Sequence, residues 1–179
     1  MNTRLHNVLD RKLIWAHPTL GFAFHRSGMV FPRRYTAIHL AAQKGTAALF
    51  EALLPDGDGG GLDADAKGQL LNATLEGGQT ALHLAAQNCN VAAVRALLSR
   101  GASVDPVIPA NGNTPLHVIC KKTFGPASAD DAVAIINLLV DRGADLSGAN
   151  GDGDRALHLA VTSSGSKARG LKLHFPELS

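Results

Sequence analysis

The amino-acid sequence predicts an all-α solenoid, in which short helix–turn–helix units stack side by side and β-hairpin turns join one unit to the next. Three observations carry that prediction. One phrase is written four times: Thr36-Ala-Ile-His39-Leu-Ala-Ala, Thr80-Ala-Leu-His83-Leu-Ala-Ala, Thr114-Pro-Leu-His117-Val-Ile-Cys and Arg155-Ala-Leu-His158-Leu-Ala-Val. After each of the first three comes a second apolar pattern at three- and four-residue spacing, which marks a second helix. Helices shorter than about 12–15 residues are marginal alone in water, so units this small need neighbours of the same kind to bury their apolar faces.

The most regular copy runs from Gly78 to Asp105. Thr80 stands just before an apolar run and suits a helix cap, its hydroxyl accepting from the backbone N–H of His83. Leu82, Ala85 and Ala86 then share one helical face. Asn88-Cys89-Asn90 interrupts as a turn, and Val94, Leu97 and Leu98 resume the spacing. Arg100 suits the negative end of that second helix, and Gly101 the left-handed residue just past it. With this unit decoded, the chain resembles the ankyrin-repeat family, whose Thr-Pro-Leu-His-x-Ala signature recurs about every 33 residues. The resemblance covers Tyr35 to Val161 and implies an ankyrin-repeat solenoid over residues 35–179. Its repeats lie near 35–78, 79–112 and 113–153, with a partial copy at 154–179.

The remaining copies depart from that pattern in particular places. Thr3-Arg-Leu-His6 opens the phrase 33 residues before Thr36, but Pro18 and Gly21 fall where a second helix should be. Residues 1–34 are therefore a decayed capping repeat or an unrelated helix. The spacing favours the former, because terminal repeats are expected to be atypical. In copy one, Gly45 closes the first helix, and Phe50, Leu53 and Leu54 mark the second. Thr80 follows Thr36 by 44 residues, and the excess falls in the Asp/Gly-rich run 56–65, which predicts a loop. Asp56, Asp58 and Gly61 imitate a calcium loop, but Lys67 stands where a bidentate glutamate is required. Between copies two and three, Asn111-Gly112 suits a tight hairpin turn. In copy three, Pro115 takes the first helical position, and the excess lies between the helices, from Lys121 to Asp130. The second helix resumes at Asp131, where two aspartates favour its dipole, and carries Ile136, Leu139 and Val140. In copy four Asp154 replaces threonine as the cap, and no second helix follows Val161.

Composition narrows the class. A chain that is 45% apolar and 18% charged belongs with globular proteins, and 4% aromatic content leaves Leu, Ala, Val and Ile to build the core. A formal charge of +2, with no aromatic stacking platform, gives no support for nucleic acid. The apolar runs are far shorter than the roughly 18 residues of a membrane helix and have no signal-peptide layout. The expected setting is intracellular, in cytoplasm or nucleus. Cys89 and Cys120 do not form a disulfide framework, and no Cys-x-x-Cys or His-x-x-x-His pair prepares a metal site. Gly59-Gly-Gly61 lacks the Gly-Lys-Ser/Thr of a nucleotide loop, and Ser163-Ser-Gly-Ser166 lacks the setting of a nucleophile elbow. No cofactor is expected.

His39, His83, His117 and His158 recur at one fixed position, whereas a catalytic site needs different groups converging on one atom. The resemblance makes them structural, bonding the turns between repeats. It also implies a binding surface on the concave side, built from hairpin tips and the ends of the first helices. Carried over by register, that surface comprises Arg33, Arg34, Tyr35, Gln43, Lys44, Gln79, Gln87, Asn88, Asn113, Lys121, Lys122 and Asp154. These positions are polar and differ between copies, while the packing positions stay constant. The basic residues Arg33, Arg34, Lys44, Lys121 and Lys122 suit a partner with an acidic patch, while Asp152 and Asp154 close the strip with the opposite sign. The expected function is non-enzymatic recognition or scaffolding of another protein by a monomer. The alternative is a regulatory segment of a larger enzyme or channel.

Overall fold

In the computed structural model, residues 37–45, 47–53, 64–122 and 128–163 are described. The expected N-terminal repeat, most of the copy-one loop and the segment after Ser163 lie outside them. Eight helices occur among the described residues: α1 Ala37–Lys44, α2 Ala47–Leu53, α3 Ala64–Leu71, α4 Ala81–Gln87, α5 Val91–Ser99, α6 Pro115–Lys121, α7 Ala129–Asp141 and α8 Ala156–Ser163. The first helices form one layer, with α1 on α4, α4 on α6 and α6 on α8. The second helices form the other, with α2 on α5 and α5 on α7. The turns between repeats close as single antiparallel bridges, Thr74 with Thr80 and Ala149 with Arg155, with no named strand among the described residues.

Packing follows the spacing. Leu82, Ala85, Ala86, Val94, Leu97 and Leu98 are buried, as are Phe50, Ile136 and Leu139. Alanines on the facing sides let the helices approach closely, so the core needs few large side chains. Copy one departs from expectation. Ala64 and Asp65, placed in a loop by the sequence, begin α3, and Leu71 of that helix is buried in the common core. A glycine at 68 and a late pair of leucines hid this helix, since small and charged residues fill its first two turns and its large apolar residues come only at its end. In copy three, Lys121 ends α6 and α7 starts at Ala129, two residues before the expected start at Asp131. Val140 is only half-buried, and Ala132 and Ile135 join the core instead.

Each repeat is tied to the next through a buried imidazole. His83 is fully buried. The Thr80 N–H donates to its Nδ1 at 3.2 Å, so Nδ1 carries no proton. The ring proton therefore sits on Nε2, which lies 3.2 Å from the Asn113 carbonyl at the following hairpin. His117 repeats the arrangement, with the Thr114 N–H donating to Nδ1 at 3.3 Å and Nε2 at 3.2 Å from the Gly148 carbonyl. His39 Nε2 lies 3.1 Å from the Ala73 carbonyl. The expected cap, threonine hydroxyl to histidine N–H, forms in copy three at 3.5 Å. The threonine hydroxyl also lies close to Nδ1 in both copies, at 3.0 Å in copy two and 2.8 Å in copy three. Histidine thus does at the third helical position what Glu or Gln does in a capping box. At α8 the same bond, Arg155 N–H to His158 Nδ1 at 3.4 Å, replaces the cap expected from Asp154. The Asp154 carbonyl accepts from the Asn150 N–H across the hairpin. His158 is exposed, with no following hairpin among the described residues to meet its Nε2.

The hairpin tips also touch one another. Gly112 has a φ of +67°, and a side chain there would place its Cβ 2.5 Å from the Gly151 backbone nitrogen. Gly101, at φ +90°, has open space around it. Changing Gly101→Ala should cost only the left-handed penalty, about 1 kcal/mol. Changing Gly112→Ala should cost about 3 kcal/mol, because the next hairpin must shift as well; urea unfolding of the two variants measures the difference.

Burial lowers the pKa of His83 from its ordinary 6.5 to about 4, against the support of the carbonyls it meets, and lowers that of His39 for the same reason. The folded chain thus binds fewer protons than the unfolded one. This contribution is complete above pH 6.5 and is lost as pH falls through about 4. Between those limits His83 alone should remove about 3 kcal/mol. Denaturant unfolding from pH 7 to pH 4 should show this decline, and His83→Gln should flatten it while lowering stability at pH 7. Burial also pushes the Cys120 thiol up to about 12, whereas Cys89 is half-buried. Iodoacetamide should therefore modify Cys89 well before Cys120, as peptide mass mapping would read.

Candidate functional site

Stacking of the first helices brings their C-terminal ends into a row, with Lys44 on α1, Gln87 and Asn88 at the end of α4, and Lys121 and Lys122 at the end of α6. Between copies two and three this row and the adjoining hairpin enclose a groove of about 460 Å³. It is lined by Gln79, Gln87, Asn88, Ile108, Asn111, Asn113, Val118, Lys121 and Lys122. Six of the surface residues inferred from register meet here: Gln79, Gln87, Asn88, Asn113, Lys121 and Lys122. Gln43, Lys44 and Asp154 lie outside its lining. Arg33, Arg34 and Tyr35 lie outside the described residues.

The six are not equivalent. Gln87, Asn88 and Lys121 are exposed, and Gln79 and Lys122 half-buried. Asn113 is only 4% exposed, and its side-chain oxygen accepts from the Asn150 amide at 2.9 Å. It forms part of the wall and holds the next hairpin in place. Lys122 is fixed from below, where its ammonium donates to the Gln87 carbonyl at 2.5 Å and lies 3.7 Å from Cys89 Sγ. A helix C-terminus is negative, so this charge has a favourable seat although it is half-buried. No carboxylate lines the groove, which leaves the field of two lysines uncompensated. Cys89 itself adopts φ 56°, the left-handed turn needed to bring α5 back against α4.

Ile108, Asn111 and Val118 were not anticipated. Ile108 is buried and floors the groove, while Asn111 is exposed at the hairpin tip. Val118 lies four residues before Lys122 on α6, a spacing that could have placed it on the same face.

A second hollow of about 400 Å³ opens on the hairpins between copies three and four, beside Asp105, His117 and Asp145. Asp105 Oδ2 accepts the Asp145 N–H at 2.9 Å, and its Oδ1 is buried with no hydrogen-bond partner. The Ser147 hydroxyl and N–H both donate to Asp145, holding its carboxyl below the usual carboxylate range. His117 has both ring nitrogens engaged, so it has no lone pair to offer as a base. Among the described residues no three His, Cys, Asp or Glu side chains gather into a metal site, and no helix is long and apolar enough to cross a membrane.

The family model for ankyrin repeats, in three copies, matches residues 20–107 and again residues 38–145. No curated protein matches the chain. The family match spans well over half of the sequence, and the helix pairs, two bridged turns and three buried histidines lie within or next to the matched residues. The chain belongs to the ankyrin-repeat family.

Proposed function

We propose that this protein is a non-enzymatic interaction module that recognises another protein through the groove between copies two and three and the strip of first-helix ends leading to Lys44. Ankyrin repeats are generally protein–protein interaction modules and typically non-catalytic. The observation that carries the reading for this chain is the convergence of Gln79, Gln87, Asn88, Lys121 and Lys122 on one open, water-exposed groove. Its walls are amides and ammonium groups on a rigid helical frame. Such groups recognise by hydrogen bond and charge.

Uncompensated lysines favour a partner with an acidic patch. The charges raise the encounter rate and reject basic surfaces more than they add affinity. The triple reversal Lys44→Glu, Lys121→Glu and Lys122→Glu should keep the helical spectrum while weakening capture of partners about tenfold or more. An affinity pulldown with mass spectrometry, wild type against the reversed protein, reads the effect. Recovery of the same partners in the same amounts would refute the reading.

A further inference from the structure

We infer that the groove between copies two and three takes an extended acidic peptide segment, its main chain held by side-chain amides and one of its carboxylates seated on Lys121 and Lys122. This rests on the function proposed above and names the form of the partner. The amides carry the argument. Gln79 and Gln87 make no side-chain hydrogen bond among the described residues, although both line the groove. Asn111 uses its oxygen to accept the Asn113 N–H at 3.1 Å, which leaves its two amide hydrogens free. Asn88 donates to the Leu84 carbonyl at 2.8 Å, which leaves its oxygen free to accept. The groove therefore offers both donors and acceptors along its walls.

That mixture complements a chain whose own N–H and C=O groups are unpaired. A helix satisfies those groups internally and needs an apolar groove for its side chains. Here the apolar floor is small, with Ile108 only 5% exposed and Val118 half-buried. An extended segment presents alternate side chains to the groove and its main chain to the walls. At the α6 end, the Lys122 ammonium spends one N–H on the Gln87 carbonyl and a second on Cys89 Sγ, which leaves it a third, and Lys121 stands exposed beside it with no acid in the lining. A carboxylate placed there gains charge-assisted hydrogen bonds.

The test titrates the full chain, labelled with nitrogen-15, with hexaglutamate, hexaglutamine and free glutamate at fixed ionic strength. Hexaglutamate should shift the side-chain amide signals of Gln79, Gln87 and Asn111 saturably. Hexaglutamine should bind at least fivefold more weakly, and free glutamate at equal carboxylate concentration should leave those signals in place. Gln79→Ala with Gln87→Ala, and separately Lys121→Gln, should each weaken hexaglutamate about tenfold without changing the helical spectrum. Equal shifts from free glutamate would reduce the groove to a simple anion site and overturn the inference. So would equal binding of hexaglutamine, or an unchanged affinity in the double amide variant. If hexaglutamate does not bind while the triple charge reversal still abolishes partner capture, the extended-peptide inference fails and the interaction function stands. If neither responds, both fall.

Discussion

A buried imidazole with both nitrogens satisfied is the interaction on which the stack depends. Inside the protein an unpaired ring nitrogen would cost about 1–3 kcal/mol, so His83 and His117 are stable only when two separate structures are in place. One is the start of their own helix, where a threonine N–H donates to Nδ1. The other is the hairpin of the next repeat, whose carbonyl meets Nε2. Local capping and the order of the repeats are therefore one interaction. The arrangement explains how helices of seven to thirteen residues hold together. None need be stable alone, since each repeat completes the hydrogen bonding of the one before it.

The same geometry separates scaffold from surface. The histidines act at the N-terminal ends of the first helices, which leaves the C-terminal ends to other side chains. In copy two the turn reaches back to the preceding repeat through Asn90, whose amide donates to the carbonyls of Ala42 and Gly45. In copy three Lys122, at the end of the first helix, reaches back to the Gln87 carbonyl. The two bonds come from different repeat positions, but both tie a copy to the first helix of the one before it. The bond from Lys122 fixes a charge at the edge of the groove. Burying an ammonium without a partner would be costly, and the helix-terminal carbonyl removes that cost while leaving the charge itself uncancelled.

The repeat architecture could be read from the sequence because one phrase and one apolar spacing recur, and the core at Leu82, Val94, Leu97 and Leu139 follows from them. What escaped was set by irregular segments and by contacts between repeats. α3 carries no early apolar period, so an Asp/Gly-rich run masked its start at Ala64. Asn113 had the register of a surface tip, yet its amide is turned to Asn150 of the next hairpin. That contact spans 37 residues, and no local pattern announces it. The second half of the helix cap was equally hidden, because threonine followed three residues later by histidine announces the hydroxyl acceptor but not the imidazole nitrogen that accepts the threonine N–H in return. Gln79, Gln87, Asn88, Lys121 and Lys122 were legible as a set because they are polar at register positions outside the apolar face, although the bond that ties Lys122 to the Gln87 carbonyl was not.

The most regular copy would be expected to say least about partners, since its sequence is nearest the shared pattern. Its place in the stack gives it a larger part. Gln87 and Asn88 end its first helix, Gln79 leads its first turn, and the groove they form is completed only by Lys121 and Lys122 of the following copy. Neither copy holds the site alone. The wall formed by Asn111 and Asn113 belongs to the hairpin between them. The candidate groove thus lies at the junction of two repeats. The order in which the copies are stacked is as much a determinant of the groove as any residue in it, because exchanging one neighbour would keep every helix and remove half of the lining.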